Sequence, residues 1–192
     1  MNQDKEIEIQ VQIESNINLF SFLEKKAKFV GETHQIDRYF TPAHRKFTEL
    51  KPVKEWLRLR DSSGKFSINY KYWHYDADGK SNYCDEYETQ IESIEQMKKI
   101  FGVLDIKEVV IVDKVKKIFL YKDYEIATDS VKGLGNFVEI EFKGKVGGRD
   151  PAKITSEMVL FLKKIGCGKI ARNFVGYPFQ LLFPNEVKFR DE

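Results

Sequence analysis

The chain has 192 residues, of which 42% are hydrophobic, 14% are aromatic and 32% are charged. This is the composition of a globular protein, and a net charge of only +2 gives no reason to expect a nucleic acid partner. Because no Pro/Gly/Ser-rich stretch divides the sequence, we expect one domain over residues 1–192.

The cysteines and the apolar runs predict the compartment. Cys84 and Cys167 lie far apart without the CxxC spacing of a zinc site, so we expect both to be free thiols. No apolar run reaches the roughly 18 residues that a membrane span needs, and residues 1–10 lack an apolar signal region. A reducing cytoplasm is therefore the expected location, with no membrane partner.

The first predicted elements are a strand and a helix. Residues 5–13 alternate strictly between apolar and polar side chains, as a strand with two different faces does, and Glu6 and Glu8 lie on the polar face. An apolar stripe at helical spacing follows over about residues 16–29, with an asparagine near its start.

Hairpins dominate the rest of the chain. Strands are predicted near residues 34–40 and at 56–61, where Arg58 and Arg60 face away from two leucines. The later predictions, in chain order, are strands at 65–75 and 83–91, a helix at 93–102, strands at 108–121, 123–131 and 136–144, a helix at 151–165 and a short strand within 174–183.

Charged faces that alternate along several strands have two explanations. An antiparallel sheet with one face in water shows the same alternation. Charges of both signs recur in at least four strands, however, and three amphipathic helices are available to cover the apolar faces. We therefore predict an α+β fold in which about eight antiparallel strands close into a barrel, or tunnel, with three flanking α-helices and one polar lumen.

Charges inside such a lumen need partners or a ligand. Carboxylates without a histidine cluster suit Mg²⁺ or Mn²⁺, and arginine forks and lysines suit a polyanion, so a metal-bound polyphosphate is the expected guest. The candidate metal ligands are Glu6, Glu8, Glu139 and Glu141. The candidate phosphate-binding residues are Arg58, Arg60, Lys71, Lys114 and Lys116.

Four segments resemble the CYTH family, the triphosphate tunnel enzymes that include class IV adenylyl cyclases and triphosphatases. Residues 6–10, EIEIQ, resemble the family's N-terminal ExExK strand, with Gln10 in place of the lysine. Residues 57–60, LRLR, and 113–116, DKVK, resemble its basic strands. Residues 129–141 resemble its combination of an acid, a Gly-x-Gly turn and a Glu-x-Glu strand.

The resemblance covers about residues 4–183 and implies roles for the matching residues. It implies that Asp129, Glu8 and Lys114 are catalytic, and that Lys116 replaces an arginine that the family usually has. The stretch at 37–47, DRYFTPAHRKF, favours the class IV cyclase branch, in which a homodimer is expected.

Three functions follow from this resemblance. The preferred one is an adenylyl cyclase, in which the ribose 3′-hydroxyl of ATP attacks the α-phosphorus and pyrophosphate leaves on the basic cluster. The proton acceptor is either a carboxylate such as Asp129 or a hydroxide on the metal. The alternatives are a triphosphatase acting on inorganic triphosphate, thiamine triphosphate or a nucleotide, and an inactive binder of nucleotides or polyphosphate, which Gln10 would explain.

Overall fold

The computed structural model describes residues 5–192 and has an α+β architecture. The strands in this range are β1 (Lys5–Glu6), β2 (Glu8–Ile13), β3 (Lys28–Pro42), β4 (Glu55–Ser62), β5 (Lys65–Tyr75), β6 (Ser81–Gln90), β7 (Ile106–Tyr121), β8 (Tyr124–Val131), β9 (Gly135–Phe142), β10 (Ile170–Arg172) and β11 (Arg190–Asp191). The helices are α1 (Ile17–Lys26), α2 (Ile94–Val103), α3 (Pro151–Ile165) and α4 (Tyr177–Leu182), followed by a 3-10 turn at Pro184–Glu186.

The described strands form one antiparallel sheet in the order β1-β6-β5-β4-β3-β7-β8-β9-β2-β10-β11. This confirms the antiparallel α+β prediction. The closed barrel is not confirmed, because the hydrogen-bonded order is open, with β1 and β11 at its ends. Only Ile7 separates β1 from β2, yet β1 pairs with β6 and β2 pairs with β9. One N-terminal segment therefore contacts strands that are far apart in the sheet order.

Several elements differ from the sequence prediction. The predicted strand count of about eight is exceeded because residues 5–13 form two strands and the short β10 and β11 are added. Helix α1 ends at Lys26 because the next residues join a ladder in which Phe29 lies opposite Phe119. The aromatic run at 174–183 forms α4 instead of a strand, with Pro178 in the first turn, where a missing N–H donor costs nothing.

The largest apolar core packs α1 and α3 against one face of the sheet. On that face Ile9 of β2 lies opposite Ile140 of β9, and both side chains are fully buried. The alternate residues of the same ladder, Glu8 opposite Glu141, point to the other face. If β2 slipped by one residue against β9, the isoleucines and the carboxylates would exchange faces. Burial of each isoleucine side chain stabilises the fold by about 1.5–3 kcal/mol, so it fixes the register that places the carboxylates on the other face.

Two further predictions concern the cysteines and the membrane. Cys84 and Cys167 are buried free thiols, as predicted. None of the helices within residues 5–192 combines the length and the hydropathy needed to cross a bilayer.

Candidate active site

The polar faces of β1 to β9 line one cavity of about 290 Å³. All nine residues predicted to bind metal or phosphate lie in its wall, whereas Asp129 does not. Among the described residues, eight acids and six bases line the cavity: Glu6, Glu8, Asp37, Glu86, Glu88, Glu125, Glu139 and Glu141, with Arg58, Arg60, Lys71, Lys114, Lys116 and Lys143. The geometry brings the predicted residues together, and their roles stay predictions.

One group in this cavity is built by β3 and β4, whose register places Asp37 opposite Arg60. Arg60 donates two hydrogen bonds to the Asp37 carboxylate, and Nη1 of Arg58 lies 3.6 Å from Oδ2 of Asp37. Burial alone would raise the pKa of Asp37, but the two arginines hold it well below its usual range. Among the described residues, Nε of Arg58 has no hydrogen-bond partner and is itself closed off from solvent, so Arg58 would have to shift to offer this donor to an anion.

A second group lies where β7, β8 and β9 meet. Nζ of Lys114 lies 2.8 Å from Oδ2 of Asp129, and Lys116 forms an ion pair with Glu139. Tyr177 of α4 donates to the same Asp129 oxygen at 3.0 Å. Burial lowers the pKa of Lys114 and raises that of Asp129. Asp129 therefore lies behind Lys114 and positions it, instead of facing the cavity.

The acid-rich side of the cavity is organised around Lys71 of β5. Its ammonium group forms an ion pair with Glu6 and lies 3.6 Å from Glu8 and 3.7 Å from Glu86. Burial alone would lower the pKa of Lys71, but Glu6 and Glu8 raise it well above its usual value. The lysine therefore stays charged and is shared among three carboxylates.

Three carboxylates on this side, those of Glu8, Glu86 and Glu141, are held at raised pKa values. Burial raises the pKa of Glu8, and repulsion from Glu139 and Glu141 adds to the effect of burial while Lys71 opposes it. Burial and Glu6 raise the pKa of Glu141 to about 7, against the attraction of Lys143. Negative charge is thus in excess on this side of the cavity.

The predicted metal ligands fit a hard divalent cation in their chemistry. They offer only carboxylate oxygens, and a dication would relieve the repulsion that raises the pKa of Glu8. Across residues 5–192, however, no three His, Cys, Asp or Glu side chains converge to hold a metal ion. Lys71 and Lys116 instead occupy the space between the acids, so binding a metal requires these lysines to exchange partners.

Comparison with known proteins identifies the family to which the chain belongs. The family model described as the CYTH domain matches residues 4–169. The chain belongs to the CYTH family. CYTH enzymes are metal-dependent and the family binds triphosphates.

One curated protein and two solved structures are similar to most of the chain. A Methanocaldococcus jannaschii protein named "Putative adenylate cyclase MJ0240" is 35% identical over 165 residues, which are 85% of this chain and 91% of that protein. The PH1819 protein from Pyrococcus horikoshii OT3 has a TM-score of 0.74 at 24% identity, over 93% of this chain and 99% of its own. HpAC1 from Hippeastrum has a TM-score of 0.67 at 17% identity, over 95% and 97%. The likeness to these two structures shows the fold.

The CYTH cavity contains residues that sequence reasoning missed as members of the site. Asp37 is one, although it begins the stretch that favours the cyclase branch. Glu86 is another, and its position on the same strand face as Glu88 was a usable signal. Trp73 also lines the cavity, whereas Tyr72 beside it does not.

Helix α4 supplies a further part of the site, which the predicted strand at 174–183 did not anticipate. Tyr177 lines the cavity, and Nε2 of Gln180 donates to Oε1 of Gln10 at 3.0 Å. Gln10 in turn donates to Glu139 at 3.1 Å. The residue that departs from the CYTH motif is therefore tied to a predicted metal ligand and to the C-terminal helix.

Proposed function

We propose that this chain is a metal-dependent CYTH enzyme that converts ATP to cyclic AMP and pyrophosphate. The observation that carries the proposal is the division of one cavity into an arginine- and lysine-rich part and a carboxylate-rich part. Acids outnumber bases in the wall, so a triphosphate anion should bind more tightly together with cations than alone. This is the charge balance expected of a site for a metal–triphosphate complex.

The phosphate chain would lie against Arg58, Lys114 and Lys116. Arg58 lines the cavity, so its guanidinium charge lies beside the place proposed for the phosphates. A shift of this side chain on binding would also let an anionic oxygen accept from its Nε–H, which is buried and lacks a partner among the described residues. Arginine and lysine at these positions neutralise charge on the phosphates without water between them.

The cation would be held by Glu8, Glu139 and Glu141, with Glu6 beside them. A divalent ion bound there, Mg²⁺ or Mn²⁺, would polarise the phosphate oxygens and offset charge that develops on them. Lys71 and Lys116 are ion-paired with Glu6 and Glu139, and they would turn to the phosphates when these acids take up the metal.

In the cyclase reaction the ribose 3′-oxygen would attack the α-phosphorus in line, and the new P–O bond would form as the bond to pyrophosphate breaks. The proton of the 3′-hydroxyl would pass to a carboxylate of the acid-rich side of the wall. Lys114 and Lys116 stabilise the negative charge that grows on the leaving pyrophosphate. Glu8 would act on the reacting phosphate through the divalent cation that it helps to hold. Asp129 acts through Lys114, which it holds at 2.8 Å from inside the wall.

Hydrolysis of a triphosphate is the second candidate. A cavity of about 290 Å³ is at the small end of the roughly 300–1,000 Å³ typical of ligand pockets, so it suits a triphosphate chain better than a whole nucleotide. The structure of HpAC1 is described as revealing a dominant triphosphatase activity of that protein. In this reaction water takes the place of the ribose hydroxyl and attacks the terminal phosphorus, while the same side chains bind the chain of phosphates.

The products formed by the purified protein decide between these reactions. ATP or inorganic triphosphate is incubated with Mn²⁺ or Mg²⁺, and cyclic AMP, pyrophosphate and orthophosphate are measured. Cyclic AMP with an equal amount of pyrophosphate supports the cyclase, and orthophosphate without cyclic AMP supports the triphosphatase. Glu8→Gln is the matched control, since it removes one negative charge and should abolish either activity. Tight triphosphate binding without any product would mean an inactive binder, as Gln10 and Lys116 suggest.

The domain organisation, the cellular location and the oligomeric state are part of the same proposal. We treat residues 1–192 as one domain whose sheet surrounds the bound triphosphate as a tunnel, with the N-terminal segment contacting both β6 and β9. The two buried free thiols agree with a cytoplasmic location. A homodimer, as expected for the cyclase branch, is tested by sedimentation of the purified chain.

A further inference from the structure

Gln180 of α4 is buried, with 3% of its surface exposed, and it is linked to the cavity wall by a hydrogen bond to Gln10. Its Nε2 donates to Oε1 of Gln10 at 3.0 Å and lies 3.4 Å from the carbonyl oxygen of Val175. Nε2 of Gln10 donates to Oε1 of Glu139 at 3.1 Å. We call the side chains of Gln180, Gln10 and Glu139 the amide relay.

The direction of the amide relay is fixed by its two ends. The Glu139 carboxylate and the Val175 carbonyl accept hydrogen bonds and cannot donate them. Gln10 must therefore turn its NH₂ group to Glu139 and its oxygen to Gln180, which meets that oxygen with an NH₂ group of its own. A side chain without a donor at position 180 leaves the Gln10 oxygen unpaired or turns the Gln10 amide around. Either change weakens the bond to Glu139.

The two oxygens of Glu139 have different partners. Oε2 contacts Lys116 and lies 3.9 Å from Lys114, whereas Oε1 receives the hydrogen bond from Gln10. The lysines therefore hold one oxygen, and the amide relay determines where the other one points. Because the chain has an amide where a lysine would supply a charge, orientation is the means by which position 10 acts on Glu139.

We propose that Gln180 is a positioning residue that, through Gln10, orients Glu139 and thereby sets the affinity of the cavity for a divalent cation with triphosphate. The inference rests on the proposed function, in which Glu139 is a metal ligand. It extends the site to a residue of α4 that does not line the cavity.

The test measures binding of Mn²⁺ with inorganic triphosphate to the full-length protein by calorimetry. Gln180→Glu and Gln180→Leu remove the donor at position 180, the first with added charge and the second without. Both should lower the affinity on the order of tenfold, as expected for one hydrogen bond to a charged group. Gln96→Glu is the control for charge, since Gln96 is exposed on α2, and it should bind like the wild type.

Rescue separates a positioning role from a structural one. The double variant Gln10→Lys with Gln180→Glu is compared with Gln10→Lys alone. The lysine can donate to both carboxylates, so in this background Gln180→Glu should change the affinity by less than about threefold. Thermal unfolding of each variant is measured alongside, and loss of affinity without a matching loss of stability supports the inference.

The outcomes are distinct. If the wild type binds and both Gln180 variants bind equally well, the inference is wrong and the proposed function stands. If the variants stay folded but Gln180→Glu lowers the affinity as much in the Gln10→Lys background as in the wild type, the inference is also wrong. If the wild type shows no Mn²⁺-dependent binding of triphosphate, the proposed function falls and the inference falls with it.

Discussion

Arg60 donates two parallel hydrogen bonds to Asp37, from Nε to Oδ1 at 2.6 Å and from Nη2 to Oδ2 at 2.7 Å. The planar fork of an arginine predicted to bind phosphate is thus already engaged by a carboxylate of the next strand. Arg58, two residues earlier, is 3.6 Å from the same carboxylate, and its Nε has no acceptor within residues 5–192. Of the two arginines of the LRLR segment, Arg60 is therefore expected mainly to stabilise the fold, and Arg58 mainly to bind phosphate.

We expect Arg58→Lys and Arg60→Lys to separate binding from stability. Arg58→Lys should weaken inorganic triphosphate binding about tenfold, because a lysine cannot replace a planar donor set at a phosphate. Arg60→Lys should mainly lower the free energy of unfolding, by about 1–2 kcal/mol, since it breaks the bidentate contact with Asp37. Calorimetry and urea unfolding of the pair check this, and equal effects of the two variants on binding would contradict it.

Asp37 should make the protein sensitive to acid. Its pKa lies well below the usual 3.8, so its ionised form stabilises the fold above that value, and this contribution is lost as pH falls below it. Asp37→Asn should abolish this part of the acid transition. It should also lower stability at pH 7 by about 3 kcal/mol, because two buried arginines lose their counter-charge. Urea unfolding between about pH 2 and pH 7 measures both effects, since this range includes the pH values at which protonation of Asp37 changes the stability.

Glu141 should have the opposite effect on how the stability of the protein depends on pH. Its pKa is raised to about 7 from the ordinary 4.5, so the folded state binds a proton more tightly than the unfolded chain does. Stability of the metal-free protein should therefore fall by about 2–3 kcal/mol as pH rises from 4.5 to 7. The measurement is urea unfolding in the presence of a chelator.

Glu141→Gln is the control for that slope. It should reduce the loss of stability between pH 4.5 and 7 without removing it, because burial also raises the pKa of Glu8 and Glu86. An unchanged slope in the variant would mean that Glu141 ionises normally. Adding Mn²⁺ to the wild type at pH 7 should restore stability, since a bound cation replaces the proton as the partner of the carboxylates.

Gln10→Lys should raise the affinity for inorganic triphosphate without metal by about fivefold to tenfold, because it adds a cation to a wall in which acids are in excess. Gln12→Lys is the matched control: Gln12 belongs to the same strand but does not line the cavity. If both variants bind more tightly to the same extent, the gain comes from overall charge and position 10 has no special effect. Loss of binding in Gln10→Lys alone would show that the glutamine is an adaptation to another substrate.

The carboxylates of the cavity could be predicted from sequence because their placement is local. Alternation alone puts Glu6 and Glu8 on one face, and the isoleucines between them decide which face is buried against helices. The contact between Asp37 and Arg60 could not be found in this way, since it depends on the register of β3 with β4. Alternation predicts which face a residue is on, but it does not predict the partner across the ladder.

Helix α4 was missed for a different reason. Its six residues, YPFQLL, are too few for a helical period, and a helix of this length is not stable by itself. It forms because Tyr177 and Phe179 pack into an apolar cluster with Tyr39 and Trp56. Tyr177 and Gln180 therefore reach the site through packing that the sequence does not encode locally.

The position of the N-terminal segment has a consequence for the order of folding. Its partners lie at residues 84–85, 138–141 and 170–172, so most of the chain must be synthesised before the segment can complete its pairing. Contacts between residues so distant in sequence form slowly, because the loops they close cost entropy before the contacts stabilise anything. We therefore expect this segment to be among the last to be fixed, with Glu6 and Glu8 taking their places in the cavity only when the rest of the wall exists.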